Sequence, residues 1–220
     1  RQTLVAWELN RILWALAQVD VPLTILKGVA YVISGLPNAR GRLFADVDLL
    51  VPLSRIEDIE QALIDHGWLR MKLDPYDERY YRVWMHEIPP LRHRERNTEI
   101  DIHHAILPRT SRLRPDPSRL LAAARPLPDP RLQVLAPTDM VLHSLLHLFH
   151  EGDPAGGLRL RDLVDVSDLI AHFGREPGFW DSLVPRAHEL DLQRPLYYGL
   201  RFVRSILGAD VPEAVARDVE

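Results

Sequence analysis

Two aspartates one residue apart, Asp46 and Asp48, stand in the run Asp46-Val47-Asp48-Leu49-Leu50-Val51. Side chains alternate along an extended strand, so both carboxylates project to one side while Val47, Leu49 and Val51 form an apolar row on the other. Like charges on one sheet face repel unless a cation lies between them, and a hard divalent ion is the natural occupant. The plainer reading is a solvent-facing strand edge with unpaired acids. Upstream, Thr24-Ile25-Leu26-Lys27-Gly28 reads as a buried strand ending in a glycine turn, whose backbone N–H groups suit phosphate oxygens. Singly, Lys27 is a strand-end lysine and Gly28 a turn glycine; together they form a candidate phosphate cradle. Arg42, in a polar loop ahead of the acidic strand, either holds a phosphate bidentately or pairs with Asp46 or Asp48. A second alternating run, Glu99-Ile100-Asp101-Ile102-His103, puts Asp101 and His103 on one face. His103 there either orients a substrate or ion, or is a core-edge histidine bonded to backbone.

Taken in order, Leu26-Lys27-Gly28, Arg42, Asp46-Val47-Asp48-Leu49-Leu50-Val51 and Asp101 resemble the uncharacterised nucleotidyltransferases of the DNA polymerase beta superfamily. The resemblance extends through His86-Glu87-Ile88-Pro89-Pro90-Leu91 and the later helices. It implies an α/β (α+β) fold: a polymerase-beta-like core with a mixed sheet flanked by helices, then a C-terminal all-helical domain. It further implies Mg²⁺-dependent transfer of a nucleoside monophosphate from an NTP to an acceptor hydroxyl. On that reading Asp46, Asp48 and Asp101 are catalytic and hold two Mg²⁺ ions, and Lys27, Gly28 and Arg42 bind the nucleotide. Three carboxylates on neighbouring strands suffice, because Mg²⁺ takes its remaining ligands from phosphate and water. Val29 stands where that superfamily usually has Ser or a second Gly. The rival reading follows from this departure: a catalytically silent binding or regulatory module that keeps the fold and the carboxylates. The acceptor, whether small molecule, protein side chain or RNA end, is not specified by any residue.

His143, His147 and His150 lie at i, i+4 and i+7 on one helical stretch, with Glu151 adjacent and Asp162 and Asp165 on the next. They suggest either a second metal site, as in a metal-dependent phosphohydrolase, or a packed interhelical network. The stretch lacks the glutamate of a His-Glu-x-x-His zinc helix, which favours the network.

Several broad classes are excluded or made less natural by composition. A chain of 220 residues, 46% hydrophobic and 26% charged, can bury a proper core. Its net charge of −4 gives no global electrostatic case for nucleic acid. With no Cys there are no disulfides or thiolate metal sites. No run reaches the ~18–20 apolar residues of a membrane span and no signal-peptide pattern opens the chain. The expectation is a cytoplasmic protein with an NTP, an unknown acceptor and no membrane as partners.

The elements that must hold these residues follow from periodicity. Apolar residues at helical spacing predict a helix over residues 3–19, and others over 28–34 and from 54 to about 66. Strands are expected at 22–26, 46–51, 68–73 and 98–103, with a further alternating run at 79–86. Prolines at 115, 117, 126, 128, 130 and 137 predict extended linkers around one short helix at 118–124. Beyond them the pattern is helical throughout, at 138–151, 158–173, 179–190 and 194–207, with a start near 211. The domains expected are 1–125 for nucleotidyl transfer and 126–220 for the helices, the latter closing one side of the cleft.

Overall fold

The computed structural model describes residues 2–41, 46–150 and 160–218. The chain divides into two compact units, one of residues 1–35, 41–112 and 116–135, the other of residues 36–40, 113–115 and 136–220. The first contains helix α1 (Gln2–Ala15), strand β1 (Leu23–Ile25), α2 (Lys27–Ile33), β2 (Asp46–Leu50), α3 (Ile56–Asp65), β3 (Trp68–Arg70) and α4 (Pro75–Trp84). It continues through β4 (Leu91–His93), β5 (Glu99–His103), α5 (Pro117–Ala123), β6 (Arg125–Pro126) and β7 (Leu132–Val134).

The strands form one mixed sheet in the order β3-β4-β5-β2-β1-β7-β6. Its centre is apolar: Ile25, Leu49, Leu50, Ile100 and Ile102 are wholly buried. Helix α1 packs against α2 and α3, burying Leu9, Ile12 and Leu13. The pairing that brings the acidic residues together is β2 beside β5, parallel, with Asp46 opposite Glu99 and Asp48 opposite Asp101. Strand β1 runs antiparallel on the other side of β2, and the backbone N–H of Leu26 donates to the Asp48 carbonyl at 3.0 Å. The start of α2 is thereby tied to the middle of the acidic strand.

Helix α4 corrects the strand expected at 79–86. Asp74 accepts hydrogen bonds from the N–H groups of Tyr76 and Asp77, and Pro75 occupies the first turn, so a strong helix start overrides the short alternation that follows. None of its residues is fully buried. It is tethered by Arg82, which, with Arg70 of β3, reaches the buried Glu60 of α3.

The second unit contains α6 (Pro137–His150), α7 (Leu160–Phe173), α8 (Phe179–Glu189), α9 (Gln193–Leu207) and α10 (Glu213–Asp218), and no strand among its described residues. Helix α6 packs on α7, α8 and α9. Gly199 allows close approach: a Cβ there would meet Leu145 Cδ2 at 2.1 Å. The wholly buried Asp139 of α6 is matched by Arg186 of α8 in a two-pronged pair, at 2.7 and 2.8 Å. Among the described residues no helix is long and apolar enough to cross a membrane.

Candidate active site

The alternation of β2 and β5 delivers Asp46, Asp48, Glu99, Asp101 and His103 to one face of the sheet. Asp46 is exposed at the strand's start, Asp48 is buried and Asp101 is half-buried. Asp48 receives two partners on the same oxygen: Lys27 Nζ lies 2.9 Å and His103 Nε2 3.0 Å from Oδ1. The other ring nitrogen of His103, Nδ1, lies 3.2 Å from Glu87 Oε2. An antiparallel bridge between Glu87 and His103 sets that contact, reinforced by Ile88 N–H donating to the Ile102 carbonyl at 3.1 Å.

These neighbours act differently on the three carboxyls. Burial pushes Asp48 up, but the His103 hydrogen bond and the Lys27 charge prevail and hold it well below the usual carboxylate range. At Asp101 the neighbouring His103 lowers the carboxyl but does not prevail. Burial first, then the charges of Asp48 and Glu87, push it up to about 7. Its Oδ1 is buried and accepts no hydrogen bond among the described residues. Asp46 is also raised, by desolvation and then by Asp48, though water at this exposed position screens the effect.

The backbone at the proposed phosphate cradle differs from the expected glycine turn. Gly28 lies within α2 and is buried, whereas the left-handed residue is Lys27, with φ of 47°. That conformation costs a lysine roughly 1 kcal/mol. Its ion pair with Asp48 is the local interaction that accompanies the strain. Arg42 lies outside the described residues. Sequence reasoning gave no role to Glu87 and named His86 and Glu87 only as part of a longer resemblance. Their adjacency to His103 arises from antiparallel pairing across 16 residues, which no local spacing reveals. Among the described residues the histidines of α6 join no such cluster: His147 Nε2 lies 4.0 Å from Asp162 Oδ2, Arg161 pairs with Asp165 at 3.4 Å, His143 is buried, and Glu151 lies outside the described residues. Among the described residues, the three-donor grouping within metal-binding reach is instead His86, Glu87 and His103.

A family model described as uncharacterised nucleotidyltransferase matches residues 1–208. The chain belongs to that family. No curated protein matches this nucleotidyltransferase-family chain. Among solved structures it is similar to the antibiotic-resistance factor ANT(2'')-Ia in solution, at 14% identity and a TM-score of 0.52, over 94% of this chain and 97% of that one. It is also similar to the crystal structure of ANT(2'')-Ia in complex with adenylyl-2''-tobramycin, at 16% identity and a TM-score of 0.50, over 79% of this chain and 91% of that one. At such identities the likeness is one of fold: the polymerase-beta-like nucleotidyltransferase core with its mixed sheet and C-terminal helices.

Proposed function

We propose that this family member transfers a nucleoside monophosphate from an NTP to an acceptor hydroxyl, with release of pyrophosphate. The observation that carries the reading is the convergence of Asp46, Asp48 and Asp101 on one sheet face, with Asp48 and Asp101 in register on parallel neighbours. The donor set suits Mg²⁺: all three are carboxylates, and Asp101 Oδ1 is a buried acceptor with no partner among the described residues. Bound there, two Mg²⁺ ions would neutralise phosphate charge and acidify the acceptor hydroxyl. Lys27 and His103 both meet Asp48 at Oδ1, so Oδ2 is the oxygen assigned to an ion. The other oxygen of the Asp101 carboxylate takes the hydroxyl proton as the acceptor oxygen attacks the α-phosphorus, and the bond from that phosphorus to the pyrophosphate oxygen breaks. Lys27, Gly28 and Arg42 are assigned to the phosphates; every residue named here falls within the expected transferase domain, residues 1–125.

The fold neighbour bound to adenylyl-2''-tobramycin supports a small polyhydroxylated acceptor as the first class to try. The decisive assay supplies each α-³²P-labelled NTP with Mg²⁺ to the full chain, using polyhydroxylated small molecules and then a cell extract as acceptors. Chelator-sensitive labelling lost in Asp48→Asn is the expected result. If none of the four NTPs binds in calorimetry, the protein is instead the silent module, with Lys27 serving only to neutralise Asp48.

A further inference from the structure

His103 stands between two sets of donors of different chemistry. Its Nε2 lies 3.0 Å from Asp48 Oδ1 and its Nδ1 3.2 Å from Glu87 Oε2, with the His86 ring centroid 5.3 Å from its own. We propose that His86, Glu87 and His103 form a second metal site, one that takes a borderline divalent transition ion of the Zn²⁺ or Co²⁺ type. This inference does not rest on the transferase reading.

The three residues each offer one ligand atom, and those atoms all lie within 4.8 Å of one another. The 3.2 Å between His103 Nδ1 and Glu87 Oε2 matches the edge of a coordination polyhedron. With metal–ligand bonds of about 2.0–2.2 Å, adjacent ligands of one tetrahedral or five-coordinate ion sit roughly 2.8–3.6 Å apart. The far side of the ring completes the argument. When Nε2 donates its proton to Asp48 Oδ1 at 3.0 Å, a neutral ring presents the Nδ1 lone pair to the Glu87 carboxylate. In that tautomer a metal ion between Nδ1 and Glu87 Oε2 is ligated by both, whereas in the other tautomer Nδ1 donates its proton to Glu87. A carboxylate bonded to the distal nitrogen of a ligating histidine is the usual device for fixing its tautomer and orientation.

The scaffold is rigid. The Glu87–His103 bridge, the Ile88 to Ile102 hydrogen bond, and the N–H of His104 donating to the His86 carbonyl at 2.8 Å pin the segment bearing two ligands to the strand bearing the third. The His86 and His103 rings lie with centroids 5.3 Å apart and planes tilted by 31°, close enough for both to reach one ion. Glu87 is the most solvent-accessible of the three, with 18% of its side chain exposed, and provides the entry path. Ligand chemistry separates the two sites. Imidazole nitrogens select Zn²⁺ and its neighbours in the first transition row, whereas Mg²⁺ prefers the oxygens of Asp46, Asp48 and Asp101.

The experiment uses the full chain, stripped with a chelator and dialysed into excess Mg²⁺ so that the oxygen site is satisfied. Co²⁺ is then titrated while the visible d–d absorption is recorded. We expect a saturable chromophore of a nitrogen-ligated four- or five-coordinate ion at one equivalent, bleached by Zn²⁺. Glu87→Gln and His86→Ala weaken binding about tenfold or more, and Asp46→Asn leaves it unchanged. A wild-type protein without the chromophore overturns the proposal and leaves a proton between His103 and Glu87. So does unaltered Co²⁺ binding in Glu87→Gln and His86→Ala, or loss of the chromophore in Asp46→Asn. Ion-free melting curves verify that each variant folds. Should His86→Ala not fold, His86→Gln replaces it, and the wild-type titration still decides.

Discussion

Glu60 and Asp101 are both carboxylates taken out of water in the same sheet-bearing unit, yet they are treated oppositely. Glu60 points from α3 toward two guanidinium groups, Arg70 Nε at 2.8 Å and Arg82 Nη2 at 2.8 Å. Burial pushes its carboxyl up, but the two arginines win and hold it below its usual value. Asp101 is half-buried beside Asp48 and Glu87; its burial and their charges outweigh the lowering influence of His103, and its carboxyl is pushed up to about 7. On the proposed reading, the acid that serves the fold draws complementary charge from the chain itself, and the acid assigned to a ligand does so far less. Asp48 lies between the two cases, with one oxygen already paired to Lys27 and His103.

The contrast is broken most sharply by activity. Asp101→Ala should reduce kcat by about 10²–10⁴-fold, the range of general-base catalysis, with little change in KM for the NTP. Glu60→Gln should alter kcat far less. Equal losses in the two variants would mean that Asp101 is a structural acid like Glu60.

Stability should invert that order. Glu60→Gln removes the buried anion that Arg70 and Arg82 share, although both are partly exposed and Arg82 keeps Glu78 at 3.6 Å, so the expected loss is about 1–3 kcal/mol. Asp101→Asn removes a like charge from a crowded face and should be neutral or raise the melting temperature by about 1–3 °C. Calorimetric melting of the ion-free proteins compares them directly.

Asp48→Asn refines the middle case. An acidic strand of unpaired carboxylates would lose nothing on neutralisation, but Asp48 is paired twice. We expect this variant to cost about 1–2 kcal/mol, while Asp46→Asn costs nothing measurable. A denaturant titration showing the two variants equally stable would remove the distinction drawn between them.

The Glu60 pairing is read a second time in acid. The carboxyl of Glu60 is lower in the folded protein than its unfolded value of 4.5, so its contribution is complete above that pH and lost as pH falls through the folded value. The stability gap between wild type and Glu60→Gln should therefore be constant near neutrality and close below about pH 4.5. A gap that persists unchanged at pH 3 would show that packing, not charge, makes Glu60 valuable.

Much of this protein was legible in local pattern. A period of two put Asp46 with Asp48 and Asp101 with His103, and helical spacing located the apolar faces of the helices. The period is a property of the backbone and needs no partner strand. Local signals also misled: a brief alternation at 79–86 suggested a strand, while the capping pair Asp74-Pro75 was passed over. Tertiary structure alone decided that β5 lies parallel beside β2 in the register that opposes Asp48 to Asp101. It also decided that Glu87 reaches His103, that Lys27 rather than Gly28 adopts the left-handed turn, and that Glu60, on an otherwise apolar helix face, finds two arginines. The reason is physical. Side-chain direction within an element is fixed by local dihedral angles, but the distance between charges on different elements is set by how the whole sheet and its helices pack, and on that distance the electrostatics of a site depends.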